Sequence, residues 1–295
     1  MLLKSKVVSW TQGQSYLWEF LPMLVLAIKG RNRTLEDLKA LLFILTAPVF
    51  FIVGFKGTLD CPFGIAVISS RKEMKSVTYG AFKTHFCYLK DLKKVQRNKS
   101  FFPVVVDVGA NVGDFALAIA SHSGKVIAVE PGADNFASLL SNIAANNASN
   151  VMPVNVAAHD REQTVILRGQ GSATRIVNSG DGRQVMGVPL DQVLAGFHTG
   201  NIDVLKIDVQ GHEEKALLGM NLMLAENRVE LVILELHLGW GIRINEIESL
   251  MKSHGYRVVM KDSYLFGQPH LYFLVGNGSV DEPVPRQLAS PYTAA

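Results

Sequence analysis

From residue 101 onward, short apolar runs alternate with stretches whose apolar residues recur every three or four positions. The two periods predict strands and helices in turn. The runs are Val104–Val108, Val126–Val129, Met152–Val156, Val204–Asp208, Leu231–Leu236, Arg257–Met260 and Leu271–Val275. Helical spacing falls between them, at Asp114–His122, Asn135–Asn146, Glu213–Leu218 and Asn245–His254. Strand and helix in alternation argue for a mostly parallel, doubly wound seven-stranded sheet with helices on both faces. The last two runs are joined by the turn-rich Lys261–Pro269 instead of a helix, so one of them must run antiparallel. Residues 161–191 break the rhythm with Gly169, Gly171, Gly180, Gly182 and Gly187, and read as an inserted loop or hairpin over the strand ends.

The first hundred residues follow a different pattern. Tyr16–Ile28 is apolar but holds Glu19 and Pro22. Thr34 is placed to cap a helix, with Asp37 reaching back. The run Ala40–Phe55 then carries no charge over 16 residues, with Pro48 inside it. A spanning helix needs roughly 20 apolar residues, and no small-residue cleavage pattern follows the basic start. Two readings of this run stay open: a helix packed on the catalytic domain, or one lying against a bilayer. Leu59–Ile68 predicts a turn-and-strand lead-in. Tyr79–Arg97 predicts a helical stretch in which Tyr79, Phe82, Phe86 and Tyr88 interleave with Lys83, Lys90, Lys93 and Lys94. Such interleaving can stack bases, but a core-facing aromatic stripe with a solvated basic back is the preferred reading. The chain therefore divides into an apolar and basic extension, mainly helical, over 1–100, an α/β domain over 101–278 and a flexible tail over 279–295.

Charge sharpens that division. Net charge is only +3, yet residues 1–100 hold 16 Lys and Arg against 6 Asp and Glu, while the remainder holds 13 against 20. A basic extension on an acidic domain suits contact with an anionic surface or simply balances the domain. Apolar residues make up 48% of the chain, which is high for a soluble enzyme and asks for some apolar surface to be explained. The two cysteines, Cys61 and Cys87, form no metal quartet and no disulfide framework, so a reducing, cytoplasmic setting is expected. Peripheral membrane contact through residues 1–56 is the variant of that expectation.

The chemistry concentrates at the end of the first central strand. Asp107 precedes the loop Gly109-Ala110-Asn111-Val112-Gly113, which opens a helix. The next strand ends in Glu130-Pro131, where a carboxylate can accept from two ribose hydroxyls. This is a nucleoside-binding unit. The dinucleotide fingerprint needs a second glycine to admit pyrophosphate, and Asn111 stands there, so an NAD-type site is disfavoured.

Further stretches follow in order. Glu130-Pro131 precedes Leu139, Asn142 and Asn146; Asn155-Val156-Ala157-Ala158-His159-Asp160 ends the third strand; Val188-Pro189-Leu190-Asp191 comes next. Then come Leu205-Lys206-Ile207-Asp208-Val209-Gln210-Gly211-His212-Glu213 and Val232-Ile233-Leu234-Glu235. Over roughly residues 100–260 this series resembles the FkbM-type methyltransferases. The resemblance implies a class I, Rossmann-like methyltransferase fold, S-adenosylmethionine as cofactor, and sugar or natural-product hydroxyls as acceptors. One departure is Gln210, where the family usually has Glu; the amide keeps hydrogen bonding and loses the charge.

Sites in such sheets lie beyond the strand carboxyl ends. The cofactor residues expected there are Asp107, Gly109, Ala110, Asn111, Gly113, Glu130, Pro131, Ala157 and Asp160. Asp107 either meets the methionine ammonium or orders the loop, and Ala157 and Asp160 are expected near adenine. An alcohol acceptor needs a base; Asp208 is the first choice, with His237 second. Lys206 is expected to find a structural ion pair and Glu213 to stabilise a helix start. No catalytic metal is expected. A small-molecule or glycan acceptor is expected, lipid-linked if the apolar extension meets a membrane. Nucleic acid is disfavoured because the N/D-P-P-Y tetrapeptide is absent. A non-catalytic module that keeps the cofactor site is the rival that Gln210 leaves open.

Overall fold

The computed structural model describes residues 35–96, 98–263 and 268–276, so the apolar stretch 16–28, the cap at Thr34 and the tail from 279 lie outside the described residues. The chain begins there with helix α1 (Leu35–Val53). Ala40, Phe43, Ile44, Ala47 and Phe51 recur at helical spacing and are buried. Pro48 removes one backbone hydrogen bond, a cost of about 3 kcal/mol. Burying each large side chain on that face returns about 1.5–3 kcal/mol, so packing holds the helix through the proline. The opposite face leaves Leu35, Leu38, Leu42, Leu45, Val49 and Ile52 exposed. No helix among the described residues is long and apolar enough to cross a membrane.

A hairpin of β1 (Gly57–Cys61) and β2 (Gly64–Ile68) follows, then α2 (Arg71–Lys83). Ser70 caps α2 by accepting from Glu73 N, and the Glu73 carboxylate accepts in turn from Ser70 N. That reciprocal cap is worth about 1 kcal/mol. A π-helical turn, Thr84–Tyr88, links α2 to α3 (Leu89–Val95). The aromatic stripe faces inward: Phe82 and Tyr88 are fully buried.

The strands β3 (Phe102–Val108), β4 (Ser123–Val129) and β5 (Val151–Val154) alternate with α4 (Asp114–Ala120) and α5 (Ala133–Ala145). Next come β6 (Ala157–Ala158), β7 (Gln163–Arg168), β8 (Arg175–Val177), β9 (Arg183–Val188) and α6 (Leu190–Ala195). The chain continues through β10 (Ile202–Ile207), α7 (Glu213–Leu218), α8 (Asn221–Ala225) and β11 (Val229–Glu235). It closes with α9 (Ile244–Ser253), β12 (Tyr256–Ser263) and β13 (Pro269–Val275). The main sheet has seven strands in the order β12-β13-β11-β10-β3-β4-β5. Only β13 runs against its neighbours, pairing antiparallel with both β11 and β12. This is the class I methyltransferase arrangement the sequence predicts. Strand order reverses between β3 and β10, and a crevice opens at that switch point. The insert at 161–191 joins β6, just before it, in a separate small sheet of order β6-β9-β7-β8.

The extension shares its core with the main sheet: Phe43, Phe82 and Tyr88 pack in one cluster with Val105, Phe115 and Tyr272. The boundary near residue 100 therefore divides the sequence but not the packing. Asn142 and Asn146 of α5 seal that joint. Asn142 accepts from Val67 N at 2.7 Å and donates to Val112 O at 2.8 Å. Asn146 accepts from Ile65 N at 2.8 Å and donates to Ile65 O at 2.7 Å.

Candidate functional site

Gly109 ends β3 with φ +80°, and a Cβ there would lie 1.9 Å from the Asp208 carbonyl oxygen. Only glycine lets the two strand ends approach this closely. The loop amides are committed to the fold: Gly109 N and Ala110 N donate to Val129 O at 2.9 and 3.0 Å, and Gly113 N donates to Ala110 O at 2.8 Å. The free amide cradle that a glycine loop suggests is therefore not what this loop offers. What it presents to the crevice is the Asn111 side chain, whose buried Oδ1 has no hydrogen-bond partner.

Glu130 follows β4 and is 4% exposed. Its Oε2 accepts from Asn111 N at 2.9 Å; its Oε1 accepts from Gly132 N at 2.8 Å and from Asn135 Nδ2 at 3.2 Å. Burial outweighs those hydrogen bonds and pushes the carboxyl up to about 7. The crevice, about 570 Å³ with its open mouth, is lined here by Gly109, Asn111, Glu130, Pro131 and Ala157. The insert roofs it with Gly171, Ser172, Thr174 and Arg175.

Four residues placed with the cofactor by sequence are not on the crevice wall. Asp107 is fully buried under the loop, where Lys206, its direct neighbour across β3 and β10, holds Oδ1 at 2.9 Å. The Lys206 ammonium also donates to Gly109 O at 3.3 Å. Of the two roles open to Asp107, ordering the loop is the one its position serves. Asp160 turns aside to His159 Nδ1 at 2.6 Å and Lys215 Nζ at 2.7 Å. Ala110 is buried in the core, and Gly113 caps α4 against Leu139.

Where the crevice wall ends at Asp208 and Gln210, a buried charged cluster lies behind it. Asp208, just past β10, accepts from Gln210 Nε2 at 3.0 Å and pairs with Lys83 of α2 at 2.8 Å. Lys83 also pairs with Glu235, the last residue of β11. Glu235 Oε2 accepts from Tyr88 OH at 2.7 Å and lies 3.2 Å from His270 Nε2. Two residues on, His237 is 4% exposed. Its Nδ1 lies 2.7 Å from Glu213 Oε1, and its Nε2 lies 3.8 Å from both Asp208 Oδ1 and Glu235 Oε1. The imidazole stacks on Trp240, with centroids 5.2 Å apart. Burial alone would lower its proton affinity, but the hydrogen bond to Glu213 and the nearby Asp208 carboxylate raise it above the ordinary histidine value.

The structure brings the two residues named from the sequence, Asp208 and His237, within 3.8 Å of each other, beside partners the sequence did not suggest. Glu213 does brace its helix start, accepting from Gly211 N at 3.0 Å, and the same carboxylate oxygen also orients His237. Lys83, read as part of a solvated basic back, is buried among the acids. Its signal was a lysine one turn from aromatics that prove to be core. The Asp208, Glu235 and His237 donor atoms lie within 4.8 Å of one another, a grouping that strand-end positions could have suggested.

The family described as Methyltransferase FkbM domain matches residues 107–258. Among curated proteins, the chain is 26% identical to the 31-O-demethyl-FK506 methyltransferase FkbM of Streptomyces tacrolimicus, over 73% of this chain and 94% of that one. It is 28% identical to the hexuronic acid methyltransferase AglP of Haloferax volcanii, over 46% of this chain and 56% of that relative's length. Among solved structures, TrmK of M. capricolum with S-adenosyl-homocysteine overlaps 63% of this chain and 68% of its own at 10% identity. Its TM-score of 0.41 is too low to place a ligand. The family match, spanning just over half of the chain, settles what strand order and loop prepared: the chain belongs to the FkbM methyltransferase family and is an S-adenosylmethionine-dependent methyltransferase.

Proposed function

We propose that this methyltransferase acts on a hydroxyl oxygen of a sugar, glycan or natural-product acceptor, with His237 as the base. The carrying observation is the Glu213–His237 pair, 2.7 Å apart, whose Nε2 lies 3.8 Å from Asp208, a residue of the crevice wall. A carboxylate acceptor arrives ionised and needs no base, and Asp208, Glu235 and Glu213 would repel it. A hydroxyl must lose a proton as its oxygen attacks, and an oriented imidazole is the group for that. The name of one curated relative, a 31-O-demethyl-FK506 methyltransferase, supports transfer to a hydroxyl oxygen, and that of the other, a hexuronic acid methyltransferase, supports a sugar as acceptor.

The crevice fits the cofactor. The unpartnered Asn111 Oδ1 is an acceptor suited to the methionine ammonium. Glu130 keeps acceptor capacity for a ribose diol, and Ala157 and Ala158 give adenine an apolar wall. When bound, S-adenosylmethionine supplies an electrophilic methyl on a sulfonium. The protein aligns the acceptor oxygen with it, excludes water under the 161–191 roof, and takes the hydroxyl proton at His237 Nε2. The test is labelled S-adenosylmethionine with a cell extract: the account expects the label as an alkali-stable methyl ether, and label released by mild alkali would instead mark an ester.

A lipid-linked acceptor is favoured by α1. Its exposed Leu35, Leu38, Leu42, Leu45, Val49 and Ile52 form one face, and Arg71 from the basic α2 donates to Ile52 O at 3.0 Å beside it. An apolar face edged by basic residues suits the interface of an anionic bilayer. Deleting the helix would open the core, so the test substitutes Leu42, Leu45 and Val49 with Gln. The wild-type chain is expected to sediment with vesicles of anionic lipid and the variant to stay in solution. Equal partitioning, or a dimer that the variant abolishes, would overturn it.

A further inference from the structure

Asp208, Glu235 and His237 offer two oxygens and a nitrogen within 4.8 Å of one another, a donor set of the kind that holds a divalent cation. In this protein a cation already stands against two of them, Asp208 and Glu235. The Lys83 ammonium lies 2.8 Å from Asp208 Oδ2 and makes an ion pair with Glu235 Oε2. The rings of Tyr79 and Tyr88 also lie near it, with centroids 5.1 and 5.6 Å away. Tyr88 OH, His270 Nε2 and Gln210 Nε2 also face the two carboxylates, and His237 Nε2 lies 3.8 Å from each.

We propose that Lys83 is the built-in cation of the acceptor site, meeting the charge of Asp208 and Glu235 that in other arrangements of such donors a metal ion would meet. This rests on the acceptor site being where the previous section puts it. Lys83 comes from α2, outside the 107–258 span of the family match, so the extension supplies a part of the site that the domain alone lacks. Burial would strip the proton from an isolated ammonium, but the Asp208 and Glu235 carboxylates hold it on.

The consequence is a division of labour. A metal ion would bind the acceptor oxygen directly and acidify it. An ammonium tucked behind two carboxylates cannot reach that oxygen, so Lys83 is a positioning residue: it fixes Asp208 and leaves deprotonation to His237. Gln210 belongs to the same arrangement. Its amide donates to Asp208 Oδ1, where a glutamate would bring a further carboxylate to 3.0 Å and unbalance a site with one fixed cation.

The test uses the full chain with Mn²⁺ as the metal probe, followed by electron paramagnetic resonance, and S-adenosylhomocysteine binding by calorimetry. Wild type is expected to leave Mn²⁺ free and to transfer methyl equally with or without a chelator. Lys83→Met should bind one Mn²⁺ per chain at least about tenfold more tightly than wild type, and adding Asp208→Asn should remove that site. The same variant should slow transfer by about 100-fold, with S-adenosylhomocysteine affinity kept, and Lys83→Arg should restore most of the rate. The proposal is overturned if wild type binds Mn²⁺ at Asp208 and loses activity to the chelator, a result that does not depend on any variant folding. It is also overturned if Lys83→Met transfers at the wild-type rate. Failure of wild type to bind S-adenosylhomocysteine would instead sink the functional reading and leave the metal comparison standing.

Discussion

Two buried lysines stand on either side of the Gly109 turn, and they do different things. Lys206, inside β10, faces Asp107 across the strand pair at 2.9 Å and the Gly109 carbonyl at 3.3 Å. This cation touches one carboxylate, with the charges of Asp114 and Asp208 acting from further off, and the pair holds the turn in place without reaching the crevice. Lys83, delivered by a helix from the extension, meets Asp208 and Glu235, with Glu213 close behind His237. Here the acids outnumber the fixed cation, and the surplus keeps a proton near His237. A balanced pair is scaffold; an unbalanced cluster can move a proton.

The first way to break this comparison is to remove Lys206. Lys206→Met leaves Asp107 buried without its cation, and losing one partner of a buried pair costs about 3–5 kcal/mol. Denaturant unfolding should show that loss, and added divalent ions should not restore it. A stability unchanged by Lys206→Met would mean that the pair is no scaffold.

A smaller effect should follow from the turn itself. Gly109→Val forces a β-branched side chain into φ +80° and against the Asp208 carbonyl. Strain of this kind costs about 1–3 kcal/mol before the clash is counted, so S-adenosylhomocysteine affinity should fall by at least about 100-fold. Affinity within a few-fold of wild type would show that the turn does not set the cofactor site.

The smallest predicted effect sharpens the contrast by pH. Glu130 is held protonated up to about 7 by its burial. The ionised form is the one that accepts from two hydroxyls, so affinity should drop about tenfold per unit as pH falls below 7. Above 7 it should be flat. Calorimetry between about pH 6 and 8, one unit either side of that value, checks this, and Glu130→Gln should remove the slope.

The two regions also differ in how far the sequence reveals them. The nucleoside end is written in local order: an apolar run, a glycine turn, and a carboxylate closing the next strand. Gly109, Asn111, Glu130, Pro131 and Ala157 consequently fall where the pattern puts them. Asp107 and Asp160 do not, because a polar residue at a strand end can turn toward the ligand or into its own scaffold; Lys206 draws Asp107 inward and Lys215 draws Asp160 aside. The charged end is assembled from residues 83, 208, 213, 235 and 237, separated by up to about 150 positions, and no local period links them. Lys83 was the hardest to read: a lysine among aromatics has the pattern of a solvated helix back, and only the packing of α2 on the sheet shows that it points inward. The antiparallel β13, by contrast, followed from the lack of a helix before it.

The central claim, that a carboxylate-oriented histidine deprotonates a hydroxyl, meets its most direct test in one pair of preparations. Wild type and His237→Gln are assayed side by side for labelled methyl transfer across pH and for S-adenosylhomocysteine binding. The account predicts that the wild-type rate climbs with pH through an apparent pKa above the ordinary histidine value, because the base works only once its proton is gone. The variant should transfer about 10²–10⁴-fold more slowly, with unchanged binding and no such rise. A variant that binds the product and still transfers methyl at the wild-type rate would contradict it.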